Sequence, residues 1–295
     1  MTQGTATLIN GTQIAKSLRQ DIKTRVARLK EHSIIPKLAV MLVGGHPPSE
    51  IYVKYKQKAA KEVGITTEIH HFEESVDLDT LYACVDQLNH DSSVHGILVQ
   101  LPLPKKFSSQ EMWSVVERVF PSKDVDGLHP ANQGLISFSN GAAHSPEQGF
   151  VACTPLGCLH LLKTHLGDLE GLHAVVIGRS RIVGQPMANL LTKANATVTL
   201  CHSRTRDLER HLQIADVIVV AAGIPKLIKA HTVPEKAVII DVGIHRLEDG
   251  RLCGDVDFAE VSAKVSAISP VPGGVGPMTI ASLMNNVCLA AERSI

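Results

Sequence analysis

Apolar residues in the first part of the chain follow two spacings that alternate along the sequence. Continuous apolar runs predict strands at 38–43 and 96–99, and a further strand is predicted between them at 65–72. Apolar residues three or four positions apart predict helices behind Thr12, over 49–63, over 81–88 and over 112–119. Strands that alternate with helices are typical of a parallel sheet joined by right-handed crossovers. The pattern therefore favours an α/β fold.

The same alternation resumes after an interruption at 121–150. Pro121, Pro130 and Pro146 stand there among glycines and polar residues, which predicts a loop and a domain junction. Thr154 followed by Pro155 is typical of a helix start. Beyond it the pattern predicts strands at 174–177, 196–201, 217–221, 237–241 and 265–268, and helices at 184–194, at 205–213, after 257 and over 278–292. We therefore expect two α/β domains, over 1–149 and 150–276.

The composition narrows the kind of protein. The chain has 295 residues, and 29 basic residues balance 29 acidic ones, so no broad surface for nucleic acid is expected. The N-terminus lacks a secretory pattern, and no apolar run reaches the roughly 20 residues of a membrane span. Six dispersed cysteines without a CxxC pair favour reduced thiols, a cytoplasmic location and no metal site.

A glycine turn between a predicted strand and a predicted helix indicates a nucleotide site. Gly178, Arg179 and Ser180 follow the strand at 174–177, and Gly184 stands at the start of the next helix. Free N–H groups at a helix start suit a phosphate. The segment departs from the GxGxxG fingerprint because Ser180 stands at the second glycine.

The end of the following strand bears on the choice of cofactor. Ser203 and Arg204 come after the strand at 196–201, and no carboxylate follows it to bind a free ribose 2′-hydroxyl. Together with Arg179 they can bind a 2′-phosphate, which favours NADP over NAD. An ordinary solvated strand end accounts for the same residues equally well.

Candidate catalytic side chains come from one helix and two strand ends of the first half. Tyr52 and Lys56 lie four residues apart and so share a face of the helix at 49–63. A lysine among apolar groups has a lowered pKa that suits proton transfer, although a solvated lysine-rich face explains the spacing as well. Gln100 follows the strand at 96–99, and the loop 123–127 holds two acids. Each of these segments alone is also explained as a turn.

Seven segments occur in the order in which one enzyme family has them. They are Tyr52-Val53-Lys54-Tyr55-Lys56, Gly96 to Pro104, Lys123-Asp124-Val125-Asp126-Gly127, Cys153-Thr154-Pro155-Leu156-Gly157, Gly178-Arg179-Ser180 to Pro186, Asp241-Val242-Gly243 and Pro270 to Thr279. On these motifs the chain resembles, over nearly its whole length, the bifunctional methylenetetrahydrofolate dehydrogenase/cyclohydrolase family.

The resemblance implies two reactions in one cleft. Hydride passes from 5,10-methylenetetrahydrofolate to NADP, and water then opens the methenyl product to 10-formyltetrahydrofolate, a step of one-carbon metabolism that feeds purine biosynthesis. The resemblance also implies two α/β domains that face each other across a cleft, the second a Rossmann-like parallel sheet. It places a C-terminal helix, 277–295, back on the first domain, and it implies a homodimer.

The resemblance further assigns roles to single residues. Lys56 is the general acid/base, Gln100 orients it, and Asp124 anchors the pterin ring. Tyr52 stacks on the folate. The other substrate-binding residues are Pro272, Gly273 and Gly276. The cofactor-binding residues are Gly178, Arg179, Ser180, Ser203, Arg204, Gly243 and Ile244, and no metal ligand is implied.

Two segments depart from the family pattern near the implied cleft. His46 and Pro48 interrupt the common Gly-x-Asp-Pro-Ala-Ser segment, and Ala152 stands where the family commonly has proline. These changes leave open a dehydrogenase with weak or lost cyclohydrolase activity. A third interpretation is a non-catalytic nucleotide-binding module on the same fold, which the presence of Lys56, Gln100 and Asp124 together argues against.

Overall fold

Strands and helices alternate along the chain in the computed structural model, which describes residues 6–138 and 149–294. The helices are α1 (Gly11–Glu31), α2 (Pro47–Val63), α3 (Leu78–His90), α4 (Ser109–Arg118), α5 (Pro130–Phe138), α6 (Cys153–Leu166), α7 (Gly184–Lys193), α8 (Leu208–Leu212), α9 (Phe258–Val261) and α10 (Val275–Glu292). The strands are β1 (Thr7–Leu8), β2 (Lys37–Val43), β3 (Thr66–Phe72), β4 (Gly96–Val99), β5 (His173–Ile177), β6 (Thr197–Cys201), β7 (Val217–Val220), β8 (Val238–Asp241), β9 (His245–Arg246), β10 (Leu252–Cys253) and β11 (Ala267–Ile268).

One of two units combines the described part of 16–153 with residues from 280 onward. Its sheet has the order β3-β2-β4 with parallel pairing, and Val40 of β2 pairs with Ile69 on one side and Leu98 on the other. Because β2 is the central strand, its residues from Leu38 to Val43 are buried. Burial on both faces explains why this strand has an unbroken apolar sequence.

The last helix supplies part of this unit's core. Met284 and Val287 of α10 lie in one apolar cluster with Ile22 of α1. Beside the cluster, Arg25 of α1 binds both carboxylate oxygens of Glu292, at 2.8 Å and 2.6 Å. Helix α10 therefore stabilises the unit that contains α2 and β4.

The other unit combines residues 6–15 with 154–279 and contains a six-stranded sheet. The strand order is β1-β11-β8-β7-β5-β6, and every pairing is parallel. The chain passes from β5 to β6 on one side and then to β7 on the other, so the strand order reverses at β5. Sheets of this kind bind ligands beyond the carboxyl ends of the strands at such a reversal. The structure confirms the two predicted α/β domains and the parallel sheet of the second.

The edges of the two units differ from the predicted boundaries at 1–149 and 150–276. Thr7 and Leu8 of β1 pair with Ala267 and Ile268 of β11, so the first described residues join the sheet of the second unit. Neither β1 nor the antiparallel pair β9 and β10 is predicted, because two-residue strands carry almost no periodicity.

The predicted loop over 121–150 is wrong in part, because it contains α5. This helix starts at Pro130, where proline is well tolerated, and Gly134 interrupts its apolar pattern. Its start is held by a side chain from outside the helix, since the His129 backbone N–H donates to Asp124. Local sequence therefore gives little sign of it. Residues 139–148 of the predicted loop lie outside the described residues.

The predicted helix over 205–213 is too long. The Thr205 backbone N–H donates to the His202 carbonyl at 2.8 Å, which closes a turn after β6. Asp207 then adopts a left-handed backbone with a φ of 49°. The helix begins only at Leu208 for this reason. Across the residues described here, no helix is both long and apolar enough to cross a membrane.

Candidate active site and nucleotide site

Lys56 differs from the other lysines of α2 by its burial. Lys54, Lys58 and Lys61 are exposed, whereas Lys56 is 8% exposed. Its Nζ donates a hydrogen bond to Gln100 Oε1 at 2.9 Å. The structure thus separates Lys56 from the solvated lysine-rich face that the spacing alone suggests.

Gln100 lies directly after β4, and hydrogen bonds hold both its backbone and its side-chain amide. Its backbone N–H donates to the Met41 carbonyl at 2.9 Å, which continues the pairing of β4 with β2. Its side-chain Nε2 donates to the Leu101 carbonyl at 2.8 Å. The amide oxygen is therefore directed to Lys56, and the two predicted residues are in direct contact.

The surroundings of Lys56 act on its charge in opposite directions. Burial lowers the pKa of the Lys56 ammonium, and Asp126 and the Cys153 thiol partly offset this. Burial raises the pKa of Asp126, which Lys56 opposes. Burial, followed by the charge of Asp126, raises the pKa of Cys153 well above its usual value. A lysine with a lowered pKa exchanges protons near neutral pH more readily than a solvated one.

Asp126 and Cys153 are absent from the predicted site residues. The signal that could have identified them is their place in the motifs 123–127 and 153–157, of which only Asp124 is a predicted site residue. Asp126 is partly exposed, and its backbone carbonyl accepts from the Cys153 backbone N–H at 3.2 Å. The second acid of the loop is therefore the one that lies beside the catalytic candidate.

Asp124 is the first acid of that loop, and its carboxylate already accepts hydrogen bonds from groups inside the protein. It is 3% exposed, and its carboxylate accepts from Leu128 N at 3.2 Å, His129 N at 2.8 Å and Asn132 Nδ2 at 2.8 Å. Burial raises the pKa of Asp124 to about 7, although these hydrogen bonds by themselves lower it. This is the geometry of a structural carboxylate that holds the start of α5. It does not support the predicted role of Asp124 as the pterin anchor.

Tyr52 lies one turn before the buried lysine on the same face of α2. Its side chain is partly buried, and burial raises the pKa of the phenol. At the start of this helix, His46 Nδ1 lies 3.1 Å from Ser49 Oγ. Pro47 and Pro48 occupy the first helical positions, where the missing N–H groups remove no helical hydrogen bond. The departure from the family pattern therefore leaves the helix start intact.

Asn286 of α10 connects the two backbone segments beside the buried lysine. Its Nδ2 donates to the Val125 carbonyl at 2.9 Å and to the Val151 carbonyl at 3.0 Å. Asn286 is 1% exposed, and Ala152, the second departure from the family, is equally buried. Sequence reasoning missed Asn286, although a polar residue on an apolar helix face was a usable signal.

The turn after β5 leaves no room for a side chain at Gly178 or Gly184. Gly178 has a φ of +113°, and a Cβ there would lie 2.1 Å from the Ala221 carbonyl oxygen. A Cβ on Gly184 would lie 1.9 Å from the Gly178 carbonyl oxygen. Ser180 Oγ accepts a backbone N–H at 3.1 Å just before α7, and Arg179 and Ser180 are exposed. A tight turn that leads into a helix start fits a dinucleotide phosphate.

The other predicted cofactor residues follow neighbouring strands. Ser203 and Arg204 come after β6 and are exposed. Gly243 and Ile244 come after β8, and Ile244 is 48% exposed. Because β8, β7, β5 and β6 are adjacent and parallel, their carboxyl ends lie at one edge of the sheet. The structure thus brings the predicted cofactor residues to the edge where such sheets bind nucleotides.

The three remaining predicted residues lie at the start of α10. The Val271–Pro272 peptide bond is cis, and Gly273 has a φ of 105°. The Gly273 carbonyl accepts from Thr12 N at 3.0 Å, while the space around Gly276 is open. These residues belong to the unit that contains the nucleotide turn. Among the described parts of the chain, no group of three or more His, Cys, Asp or Glu side chains is arranged to hold a metal ion.

Two family models match the chain, one for each part. Residues 9–126 match the catalytic domain of tetrahydrofolate dehydrogenase/cyclohydrolase, and residues 152–295 match the NAD(P)-binding domain of the same enzymes. The chain belongs to the tetrahydrofolate dehydrogenase/cyclohydrolase family. The catalytic-domain match contains Lys56 and Gln100, and the NAD(P)-binding match contains the Gly178 turn.

Similar proteins align with this family member over nearly its full length. The bifunctional protein FolD of Campylobacter jejuni is 47% identical over 289 residues, which cover 98% of this chain and 99% of that protein. FolD of Staphylococcus haemolyticus is 50% identical over 287 residues, with 97% of each covered.

Solved structures of the family have the same fold. The crystal structure of Campylobacter jejuni FolD matches with a TM-score of 0.93 at 46% identity and covers 98% of this chain and 100% of its own. Trypanosoma brucei FolD, solved with NADP cofactor and an inhibitor, matches with a TM-score of 0.91 at 32% identity and 99% coverage of both chains.

Proposed function

We infer that this family member catalyses two consecutive reactions on tetrahydrofolate. It oxidises 5,10-methylenetetrahydrofolate to 5,10-methenyltetrahydrofolate with NADP, and it hydrolyses that product to 10-formyltetrahydrofolate. The observation that carries the inference is the buried Lys56 amine held by Gln100, in a chain that matches both domains of the family. A protein that only bound nucleotides would have no use for such an amine.

Hydrolysis of the methenyl cation requires protons to move in two directions. Water adds to the carbon between N5 and N10 and loses a proton, and neutral Lys56 accepts it. The bond from that carbon to N5 then breaks, and the Lys56 ammonium returns the proton to N5. The hydroxyl proton of the intermediate leaves to solvent, so one proton is released overall. The lowered pKa of Lys56 and its hydrogen bond to Gln100 suit both steps.

The oxidation depends on alignment more than on proton transfer. When bound, NADP accepts the hydride from the methylene carbon of the folate. The turn at Gly178 and Ser180 suits the pyrophosphate, and the exposed Ser203 and Arg204 suit the 2′-phosphate. The protein contributes binding and orientation of the two rings, which is the main requirement of the step.

We propose that Asp126, and not Asp124, binds the pterin ring. Asp126 is partly exposed and lies near enough to Lys56 for each to shift the other's pKa. Pterins carry amino and ring N–H groups, which a carboxylate accepts well. Both oxygens of Asp124 already accept hydrogen bonds from the protein.

An absorbance assay separates this function from its alternatives. The protein is mixed with 5,10-methylenetetrahydrofolate and either NADP or NAD, and reduced cofactor and methenyl product are followed separately. The bifunctional enzyme forms reduced cofactor and does not accumulate methenyl product. A dehydrogenase with weak cyclohydrolase activity accumulates it, and a non-catalytic module forms neither.

We also propose that the enzyme is a homodimer in the cytoplasm, binds no nucleic acid, and supplies 10-formyltetrahydrofolate for purine biosynthesis. The six free cysteines and the balanced charge support a reducing compartment and a lack of nucleic-acid binding. In the described residues, β6 pairs only with β5, so its other edge is open to a second copy. Light scattering gives twice 31.7 kDa for a dimer, and the monomer mass would contradict it.

A further inference from the structure

Two buried carboxylates hold the backbone beyond β7 and β8. Asp241, the last residue of β8, is 2% exposed, and Asp255 is 0% exposed. Asp241 accepts from the backbone N–H groups of Gly243 at 3.0 Å, Asp255 at 2.9 Å and Val256 at 3.0 Å. Asp241 therefore fixes the backbone on which the Asp255 side chain stands.

Asp255 in turn binds two different strand ends. Its Oδ2 accepts from Ala222 N at 2.7 Å and Gly223 N at 2.9 Å, in the loop after β7. Its Oδ1 accepts from His245 Nε2 at 2.7 Å, in the segment after β8. Gly243 leaves space for this carboxylate, because a Cβ there would lie 2.3 Å from Asp255 Oδ1.

The segments held in this way lie beside the nucleotide turn. Ala221, the residue before the held Ala222, packs its carbonyl oxygen against Gly178 so closely that no side chain fits between them. At the outer side of the two loops, Ile224 is 52% exposed and Ile244 is 48% exposed. A fully buried aspartate side chain thus holds the backbone of two exposed loops at the edge where such sheets bind nucleotides.

We propose that Asp255 is a positioning residue for NADP. Through its bonds to Ala222, Gly223 and His245 it keeps the loops after β7 and β8, and with them the Gly178 turn, in the conformation that binds the cofactor. The carboxylate itself is buried and does not touch NADP. The proposal rests on the proposed function, because it takes NADP as the ligand of this sheet edge.

The test measures NADP binding directly, by titration calorimetry on the full-length protein. Asp255→Ala removes all three hydrogen bonds, and the dissociation constant for NADP should rise about tenfold or more. Asp255→Asn keeps one acceptor oxygen and should have a smaller effect of the same sign. Asp216→Asn is the matched control, because Asp216 binds Lys236 and accepts from the His173 backbone N–H at 2.9 Å, at the opposite ends of the strands, and its NADP affinity should equal that of the wild type.

Two further measurements separate positioning from a purely structural role. The cyclohydrolase rate on methenyltetrahydrofolate without NADP should be unchanged in both Asp255 variants, since this reaction needs no cofactor. Thermal unfolding of the free protein checks that the variants fold. If Asp255→Ala does not fold, Asp255→Asn carries the test.

The proposal is overturned by unchanged NADP affinity in the folded variants. It is also overturned if affinity and cofactor-free cyclohydrolase activity fall together. A wild-type protein that binds NADP but does not oxidise methylenetetrahydrofolate would contradict the proposed function alone, and the comparison of affinities would still decide the role of Asp255.

Discussion

Replacing Lys56 by methionine should separate the two reactions. Methionine keeps an unbranched stem of similar length and removes the charged end, so it can fill the buried space around Lys56. Two local effects on stability oppose each other. Removal of a buried ammonium relieves its desolvation, while Gln100 Oε1 loses a donor, which costs about 1–3 kcal/mol for a fully buried acceptor. Gln100 is only partly buried, so water can replace part of that bond and the net change should be small.

The effect on hydrolysis should be much larger than the effect on folding. Loss of a positioned acid/base lowers the rate by about 10²–10⁴-fold, which corresponds to about 3–5 kcal/mol of transition-state stabilisation. The oxidation requires no proton transfer at its central step and should fall less. Some loss is expected, because without Lys56 the pKa of Asp126 rises further and a protonated Asp126 binds the pterin less well.

The coupled absorbance assay measures both reactions in one sample. The variant should form reduced cofactor and accumulate methenyl product, which the wild type should not. Lys54→Met is the matched control, because Lys54 is exposed on the same helix, and both of its rates should equal those of the wild type. If the two activities of Lys56→Met fall in parallel, Lys56 only holds the folate, and the acid/base role is refuted.

Three further predictions test the rest of the site. Asp126→Asn should raise the KM for folate in both reactions. Asp124→Asn should instead lower the unfolding free energy by about 1–3 kcal/mol in a denaturant titration. If Asp124→Asn raises the KM and Asp126→Asn lowers the unfolding free energy, Asp124 is the pterin anchor. Arg204→Ala should reduce the kcat/KM preference for NADP over NAD about tenfold. Arg206, which is also exposed, provides the control, and Arg206→Ala should leave the preference unchanged. Equal kcat/KM for both cofactors in the wild type would contradict the role of Arg204 in binding the 2′-phosphate. Asn286→Leu leaves the Val151 carbonyl without its side-chain donor and the Val125 carbonyl with only the Cys153 thiol at 3.3 Å. It should lower the unfolding free energy by about 1–3 kcal/mol, so an unchanged midpoint would show that these bonds are replaced.

Long apolar runs and regular helices could be predicted because their signal is local. The buried strand β2 and the parallel strands of the second sheet are examples, since each is apolar on both faces. Helix α5 and strand β1 could not be predicted, because groups outside each element stabilise them. Asp124 holds the start of α5, and Ala267 and Ile268 pair with β1.

The site was predictable in part for the same reason. Lys56 and Gln100 are each in a distinctive motif, and the structure places them in contact. Asp124 and Asp126 are the same residue type two positions apart, so the sequence cannot tell which carboxylate turns inward. That choice depends on tertiary structure. The Asp124 backbone forms an isolated β-bridge with Ile97 of β4, and its carboxylate accepts a hydrogen bond at the start of α5.

The position of α10 has a consequence for the order in which the chain folds during synthesis. Residues 16–138 leave the ribosome early, but the apolar cluster around Ile22 includes Met284 and Val287. The core that supports Lys56 can therefore close only after more than a hundred further residues, including the sheet of the other unit, have been made. Contacts between such distant parts of a chain form slowly, and the apolar faces of α1 and β2 remain exposed to solvent until these contacts form. The unit that carries Lys56 is the one that most needs protection from aggregation in the newly made protein.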